Sequence, residues 1–192
     1  PIRFLKPAKD FSNNKKKIIL SIGRLNKQKG YDILILAFYE FIKIPLFQNW
    51  QLYILGEGPE RVYLEKMIIN LNLKGSVNLK GYCDPQKYFK IAKIYVQSSI
   101  FEGMPNSVLE AMTFKVPVIL NNQIRGIKCL AKNKFSCLYF DNDKDDLCNK
   151  LSLLAKDFRI RKKLSENALK KVEKLNKRDI SKLWLKKLGI LK

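Results

Sequence analysis

The sequence predicts an α/β fold with a parallel sheet and helices on both of its faces, on three observations. Short, nearly continuous apolar runs at residues 17–22, 51–55 and 116–120 have the pattern of strands buried on both faces. Stretches of helical spacing separate these runs, so strands alternate with helices, as parallel sheets require. No internal repeat, low-complexity linker or second boundary interrupts the 192 residues, so a single Rossmann-like domain over residues 1–192 is expected.

Each element follows from its residues. The run at 17–22 stops at Gly23-Arg24-Leu25, and a polar loop follows, Asn26-Lys27-Gln28-Lys29-Gly30. Tyr31, Leu34, Ile35 and Phe38 then recur at helical spacing. Arg24 and Lys29 therefore sit between a strand's carboxyl end and the next helix, where open α/β sheets bind ligands. Two cations there are suited to clamping a diphosphate, although a solvated loop of a lysine-rich protein has the same look. After the strand at 51–55, Gly56-Glu57-Gly58-Pro59-Glu60 makes a turn, with Pro59 expected at the first position of a helix reaching about Leu71. This Gly-x-Gly lacks the third glycine and the ribose-binding acid of a dinucleotide fingerprint. A short strand at 77–79 ends at Gly81-Tyr82, and Asp84 caps a helix over 84–91 with Pro85 at its first position.

The strand at 94–96 leads into the stretch around which the chain is organised, residues 97–113. It turns at Glu102-Gly103 and continues as a helix, with Pro105 in the first turn and the N–H groups of Asn106 and Ser107 free at the helix end. Such an end carries partial positive charge and accepts phosphates. Glu102 and Glu110 frame it, an arrangement that suits a ligand with a negative middle and hydroxyls at both ends, such as a nucleotide sugar. An ordinary strand-to-helix connection reads the same way, and these residues alone leave both readings open. Strands at 116–120 and 137–140 follow. Asp141-Asn142-Asp143 reads as the acidic lead into a helix over 145–155, not as a metal site. Two basic amphipathic helices close the chain, at 158–175 and 178–188, and Trp184 with leucines 183, 185 and 188 gives the last an apolar surface.

Composition excludes several classes. There is no His, which removes Ser-His-Asp chemistry, His metal ligands and a His base from these residues. Cys83, Cys129, Cys137 and Cys148 lack the paired spacing of a zinc site or disulfide framework, and they fit a reducing cytosol. No apolar run is long enough to span a membrane and no signal peptide is visible, so a cytoplasmic location is expected. The chain opens at Pro1 without Met, as a fragment would. The net charge of +21 has three readings: compositional bias, attraction to an acidic membrane surface, or nucleic acid. No nucleic-acid-binding motif supports the last. Peripheral contact with the inner face of an acidic membrane stays an expectation.

Taken together, Gly23-Arg24-Leu25 with Lys29-Gly30, Gly56-Glu57-Gly58-Pro59, Gly81-Tyr82, Glu102 with seven residues before Glu110, Glu110-Ala111-Met112 and Val116-Pro117-Val118 resemble the C-terminal, donor-binding domain of retaining glycosyltransferases of family 4, one half of the GT-B fold. The resemblance spans most of the chain, about residues 17–188. It implies that Arg24 and Lys29 bind and stabilise the departing diphosphate, with Glu102 the third catalytic residue, on the sugar hydroxyls. It implies that Gly23 and the backbone of Gly103, Met104, Pro105, Asn106 and Ser107 approach the sugar and phosphates. Glu110 would hold the ribose, and Gly81 and Tyr82 would flank the base. It further implies a nucleotide-diphosphate sugar as donor, no metal or other cofactor, and a glycan or lipid-linked acceptor brought by an N-terminal domain against which the helix at 178–188 closes. Two departures stand out. Phe114-Lys115 occupies a position where the family commonly has glycine, so that turn differs or Lys115 is strained. Lys128 follows Gly126 where an acid is common. Two other classes compete with the enzyme: a module that binds nucleotide sugar without transferring it, and a basic scaffold that docks on membrane.

Overall fold

The first strand, β1 (Lys16–Ile22), is apolar on both faces, and that forces it to the centre of the structure. Ile18, Ile19 and Leu20 are all buried, with Ile19 in one apolar cluster and its two neighbours in the other. The computed structural model describes residues 15–103, 105–124, 126–128 and 131–176. Within them lie β2 (Gln51–Leu55), β3 (Val77–Leu79), β4 (Ala92–Gln97), β5 (Val118–Asn121) and β6 (Leu138–Phe140). The helices are α1 (Tyr31–Lys43), α2 (Arg61–Asn70), α3 (Pro85–Ile91), α4 (Asn106–Thr113), α5 (Lys144–Lys156) and α6 (Phe158–Asn176).

The strands form one sheet in the order β3-β2-β1-β4-β5-β6, with every neighbouring pair parallel. Alternation along the strands sorts the core into two layers. On one face Ile19, Ile54, Ile94, Val96 and Ile119 pack with α1, α2 and α5. On the other Leu20, Tyr95, Val118 and Leu120 pack with Phe89 of α3 and with α4 and α6. Both faces are covered, as an all-parallel sheet needs.

The chain builds outward from β1 to β3, then returns to the other side of β1 with β4. The strand order therefore reverses between β1 and β4, and a crevice opens there at their carboxyl ends. The two loops at this point are tied together. Gly30 has φ 61°, and a Cβ on it would lie 2.6 Å from the Ser98 carbonyl oxygen, so no side chain fits between turn and strand end. Ser98 Oγ donates to the Lys29 carbonyl at 2.7 Å, the Ile100 N–H to the Gln28 carbonyl at 2.9 Å, and Gln28 Nε2 to the Phe101 carbonyl at 2.7 Å.

Three departures from the sequence expectation involve proline, and β4 also begins two residues earlier than expected, at Ala92. Pro105 stands at the N-cap of α4, with φ −74° and ψ 99°, and not inside the first turn. Pro59 lies in the turn ahead of α2, which opens at Arg61. Val116-Pro117 precede β5: proline has no N–H for the ladder, and only its carbonyl is used, by the Tyr95 N–H at 3.0 Å. Lys115 takes the strained alternative, with φ 52°. Asp143 caps α5 by accepting from the N–H groups of Asp145 and Asp146. The helix expected at 178–188, with Trp184, lies outside the described residues, as does Met104.

Candidate functional site at the carboxyl ends of β1 and β4

Two groups of side chains meet at the crevice. The first lines a cleft of about 200 Å³ bounded by Ile22, Gly23, Arg24, Leu55, Gly56, Gly81, Tyr82, Cys83 and Pro85. Arg24 is exposed at its rim, and Tyr82 is 82% exposed beside it. Gly81, at φ 68°, turns the chain here, and its carbonyl accepts from the Gly56 N–H at 2.8 Å. The structure thus brings together Gly23 and Arg24 from the end of β1 with Gly81 and Tyr82 from the end of β3.

The second group centres on Glu102. The Lys29 ammonium pairs with Glu102 Oε1, and the two side chains are 18% and 16% exposed. Ser99 Oγ donates to the same oxygen at 3.1 Å, and Gln97 Nε2 lies 3.5 Å from it. Gly103 and Asn106 are exposed next to this carboxylate, at the end of α4. Ser107 is half-buried, its Oγ 2.8 Å from the Tyr95 hydroxyl and 3.4 Å from Gln97 Oε1. Glu110 is one turn further along α4, partly buried, and burial raises its carboxyl above the ordinary range. Pro105 is buried beneath the loop.

Gly23 joins the two groups. It lines the cleft, and a Cβ on it would lie 2.9 Å from Lys29 Cε, 2.9 Å from the Tyr31 hydroxyl and 3.1 Å from Lys29 Nζ. The Tyr31 hydroxyl is buried and has no hydrogen-bond partner at standard distances. Burial is the first cause that raises it, followed by the nearby Tyr95.

Sequence reasoning missed the buried polar side chains Tyr31, Tyr95, Gln97 and Ser99. The signal was present in Gln97-Ser98-Ser99, three buried polar residues at the end of a strand whose Ile94 and Val96 are apolar. A larger cleft of about 480 Å³, between the starts of α1 and α2, is lined by Asn26, Lys27, Tyr31, Asp32, Glu60 and Tyr63 and does not include Glu102. No cluster of three metal-ligating side chains exists among the described residues, and no described helix is long and apolar enough to cross a membrane.

This architecture defines a doubly wound α/β domain with its polar crevice at the topological switch point. The chain belongs to the glycosyl transferases group 1 family, whose model matches residues 3–171. It is 31% identical over 91% of its length to the N-acetylgalactosamine-N,N'-diacetylbacillosaminyl-diphospho-undecaprenol 4-alpha-N-acetylgalactosaminyltransferase of Campylobacter jejuni, of which it covers 47%. A mutant of TarM from S. aureus, solved with fondaparinux, alpha-GlcNAc-glycerol and UDP, superposes with a TM-score of 0.85 at 26% identity, over 98% of this chain and 37% of that one. The C-terminal domain of the group 1 protein LpcC from Francisella tularensis has the same fold, with a TM-score of 0.74 at 22% identity, over 88% of this chain and 93% of that domain. The chain spans a third to a half of the length of the curated relatives it matches over most of its own length. Its fold is that of the C-terminal domain of a GT-B glycosyltransferase.

Proposed function

We propose that this chain is the donor half of a retaining glycosyltransferase of the family-4 type, which binds a nucleotide-diphosphate sugar for transfer to a glycan or lipid-linked acceptor. The observation that carries the reading is the Lys29–Glu102 pair at the end of α4, placed at the β1/β4 switch point and joined through Gly23 to the cleft of Arg24, Gly81 and Tyr82. The crevice then reads from nucleotide to sugar. Tyr82 and Gly81 flank the base, and Glu110 accepts from the ribose hydroxyls. Arg24, Lys29 and the free N–H groups of α4 hold the diphosphate. Glu102 takes the sugar hydroxyls.

On this reading catalysis is electrostatic. As the sugar–oxygen bond breaks, negative charge grows on the diphosphate, and two preorganised cations with a helix end stabilise it. Two cations neutralise the diphosphate where a divalent ion would otherwise be needed, so we propose that donor binding is independent of metal. The names of several relatives carry undecaprenol-diphosphate or poly(ribitol-phosphate) acceptors, which supports an acceptor of that kind for the whole protein. A lipid-linked acceptor would bring the enzyme to the membrane surface.

The test is calorimetric titration of the chain with uridine, UDP and UDP-sugars, with and without EDTA. Arg24→Ala and Lys29→Ala should each weaken UDP by about tenfold, the value of a charged hydrogen bond, and leave uridine nearly unchanged. Equal losses on uridine and UDP would refute the diphosphate clamp, and loss of binding in EDTA would refute metal independence.

A further inference from the structure

Tyr95, Gln97 and Ser99 alternate along β4 and its extension, so their side chains share the face covered by α4. All three are at most 2% exposed. An apolar side chain at position 97 would satisfy packing alone, since the neighbouring strand residues are apolar. The carboxamide instead reaches two separate elements. Its nitrogen lies 2.7 Å from Ser99 Oγ and 3.5 Å from Glu102 Oε1, on the loop. Its oxygen lies 2.7 Å from the Tyr95 hydroxyl and 3.4 Å from Ser107 Oγ, at the start of α4.

The proton positions follow from the chemistry of one end. Glu102, ion-paired with Lys29, can only accept, so Ser99 gives its proton to Glu102. Ser99 then accepts from Gln97 Nε2, which turns Gln97 Oε1 toward Tyr95. Tyr95 gives its one proton to that oxygen and accepts from Ser107. Every proton of the chain from Ser107 to Glu102 points the same way, and such chains strengthen link by link. The Ser107 hydroxyl proton is committed inward, so Ser107 presents its backbone N–H to the crevice.

We propose that Gln97 is a positioning residue of the donor site: its carboxamide fixes the Glu102 carboxylate at a set distance from the N-terminus of α4, and recognition of the sugar depends on it more than recognition of the nucleotide. The proposal rests on the donor reading above. When the diphosphate draws Lys29 away, the links from Ser99 and Gln97 are what hold Glu102 in place for the sugar hydroxyls. A ligand that ends at the diphosphate makes no use of that placement.

The experiment titrates wild type, Gln97→Leu and Gln97→Glu with UDP, UDP-glucose, UDP-N-acetylglucosamine and UDP-N-acetylgalactosamine at pH 8 and pH 5, with thermal unfolding as a check on folding. Gln97→Leu should change UDP affinity less than about twofold and weaken the UDP-sugar that wild type prefers by about tenfold. Gln97→Glu should lose sugar discrimination at pH 8 and regain it, relative to wild type, at pH 5. There the protonated acid can donate to Ser99 and accept from Tyr95 as the amide does. Should Gln97→Leu not fold, Tyr95→Phe breaks the chain one link further on and should move the same ratio in the same direction. A variant that weakens UDP and UDP-sugar by the same factor, or neither, overturns the positioning role while the donor reading stands. Wild type that binds none of the four overturns both.

Discussion

Replacing Glu102 by Gln should tighten the binding of UDP, although it removes a carboxylate from the crevice. Lys29 is engaged by Glu102, with both side chains less than one-fifth exposed. On the proposed reading a diphosphate must take Lys29 from that partner. A charge-assisted hydrogen bond is worth about 1.5–3 kcal/mol. The amide oxygen of Gln still accepts from Lys29, so the substitution removes only the ionic share of the competition, about 1 kcal/mol. That corresponds to UDP binding about fivefold tighter. A UDP-sugar gains the same released Lys29 and loses the charged contact to its hydroxyls, so it should bind about two- to thirtyfold more weakly. The two ligands move in opposite directions, which no general loosening of the site produces. Calorimetry with UDP and a UDP-sugar on wild type and Glu102→Gln gives both numbers. UDP affinity that is unchanged or reduced would refute the competition between Glu102 and the diphosphate.

The remaining predictions concern pH and stability. Burial raises the Glu110 carboxyl, so the folded protein takes up its proton at a higher pH than the unfolded chain. The stability that protonation adds is present at low pH and is lost as pH rises through the folded value. The ionised form is the one proposed to hold the ribose, so UDP affinity should fall as pH drops, before an ordinary carboxylate near 4.5 would titrate. Glu110→Gln should flatten that profile, and an unchanged profile would separate Glu110 from the ribose. Arg161, 5% exposed, donates to the carbonyls of Leu154 and Ala155 at the end of α5, and its guanidinium lies 5.9 Å from the Phe158 ring. Arg161→Met leaves buried acceptors unpaired and should cost about 2–4 kcal/mol in urea unfolding, with UDP affinity unchanged; a loss under about 1 kcal/mol would refute the capping role.

The sheet was legible because its strands are buried on both faces. A run such as Ile18-Ile19-Leu20 has no polar alternative, so β1 and β2 fell at the expected positions. Helix starts were less legible, because proline fits both the N-cap and the first turn: Pro85 opens α3 as expected, whereas Pro105 and Pro59 stand outside their helices. The placement of Arg24 and Lys29 after a strand, and of Glu102 and Glu110 around a helix start, was legible by type and spacing, since cations in a strand-to-helix loop and acids around a helix end need no tertiary information. Their pairing was not. Residues 29 and 102 are remote in sequence, and their ion pair depends on Gly30 letting the turn close onto Ser98. The polar column beneath Glu102 was hidden for a similar reason: Tyr95 and Gln97 join Ser107 only when α4 folds back over β4.

That pairing changes how the two ends of the crevice relate. Were Lys29 and Glu102 independent, a nucleotide and a sugar would each add a fixed increment of affinity. They share one ion pair, so a ligand that takes one of them deprives the other of its partner. On the proposed reading, a nucleotide sugar meets both: its diphosphate takes Lys29 and its hydroxyls take Glu102. UDP meets only the first and leaves a half-buried carboxylate without its cation, a state that favours return of Lys29 to Glu102. The crevice would then hold its substrate better than its product without any contact that the product sterically lacks room for. On that reading the preference would arise inside the protein, from Lys29 having two anions to choose between, and Gly23 would allow it, because its missing side chain leaves the Lys29 ammonium room beside the cleft of Arg24 and Tyr82.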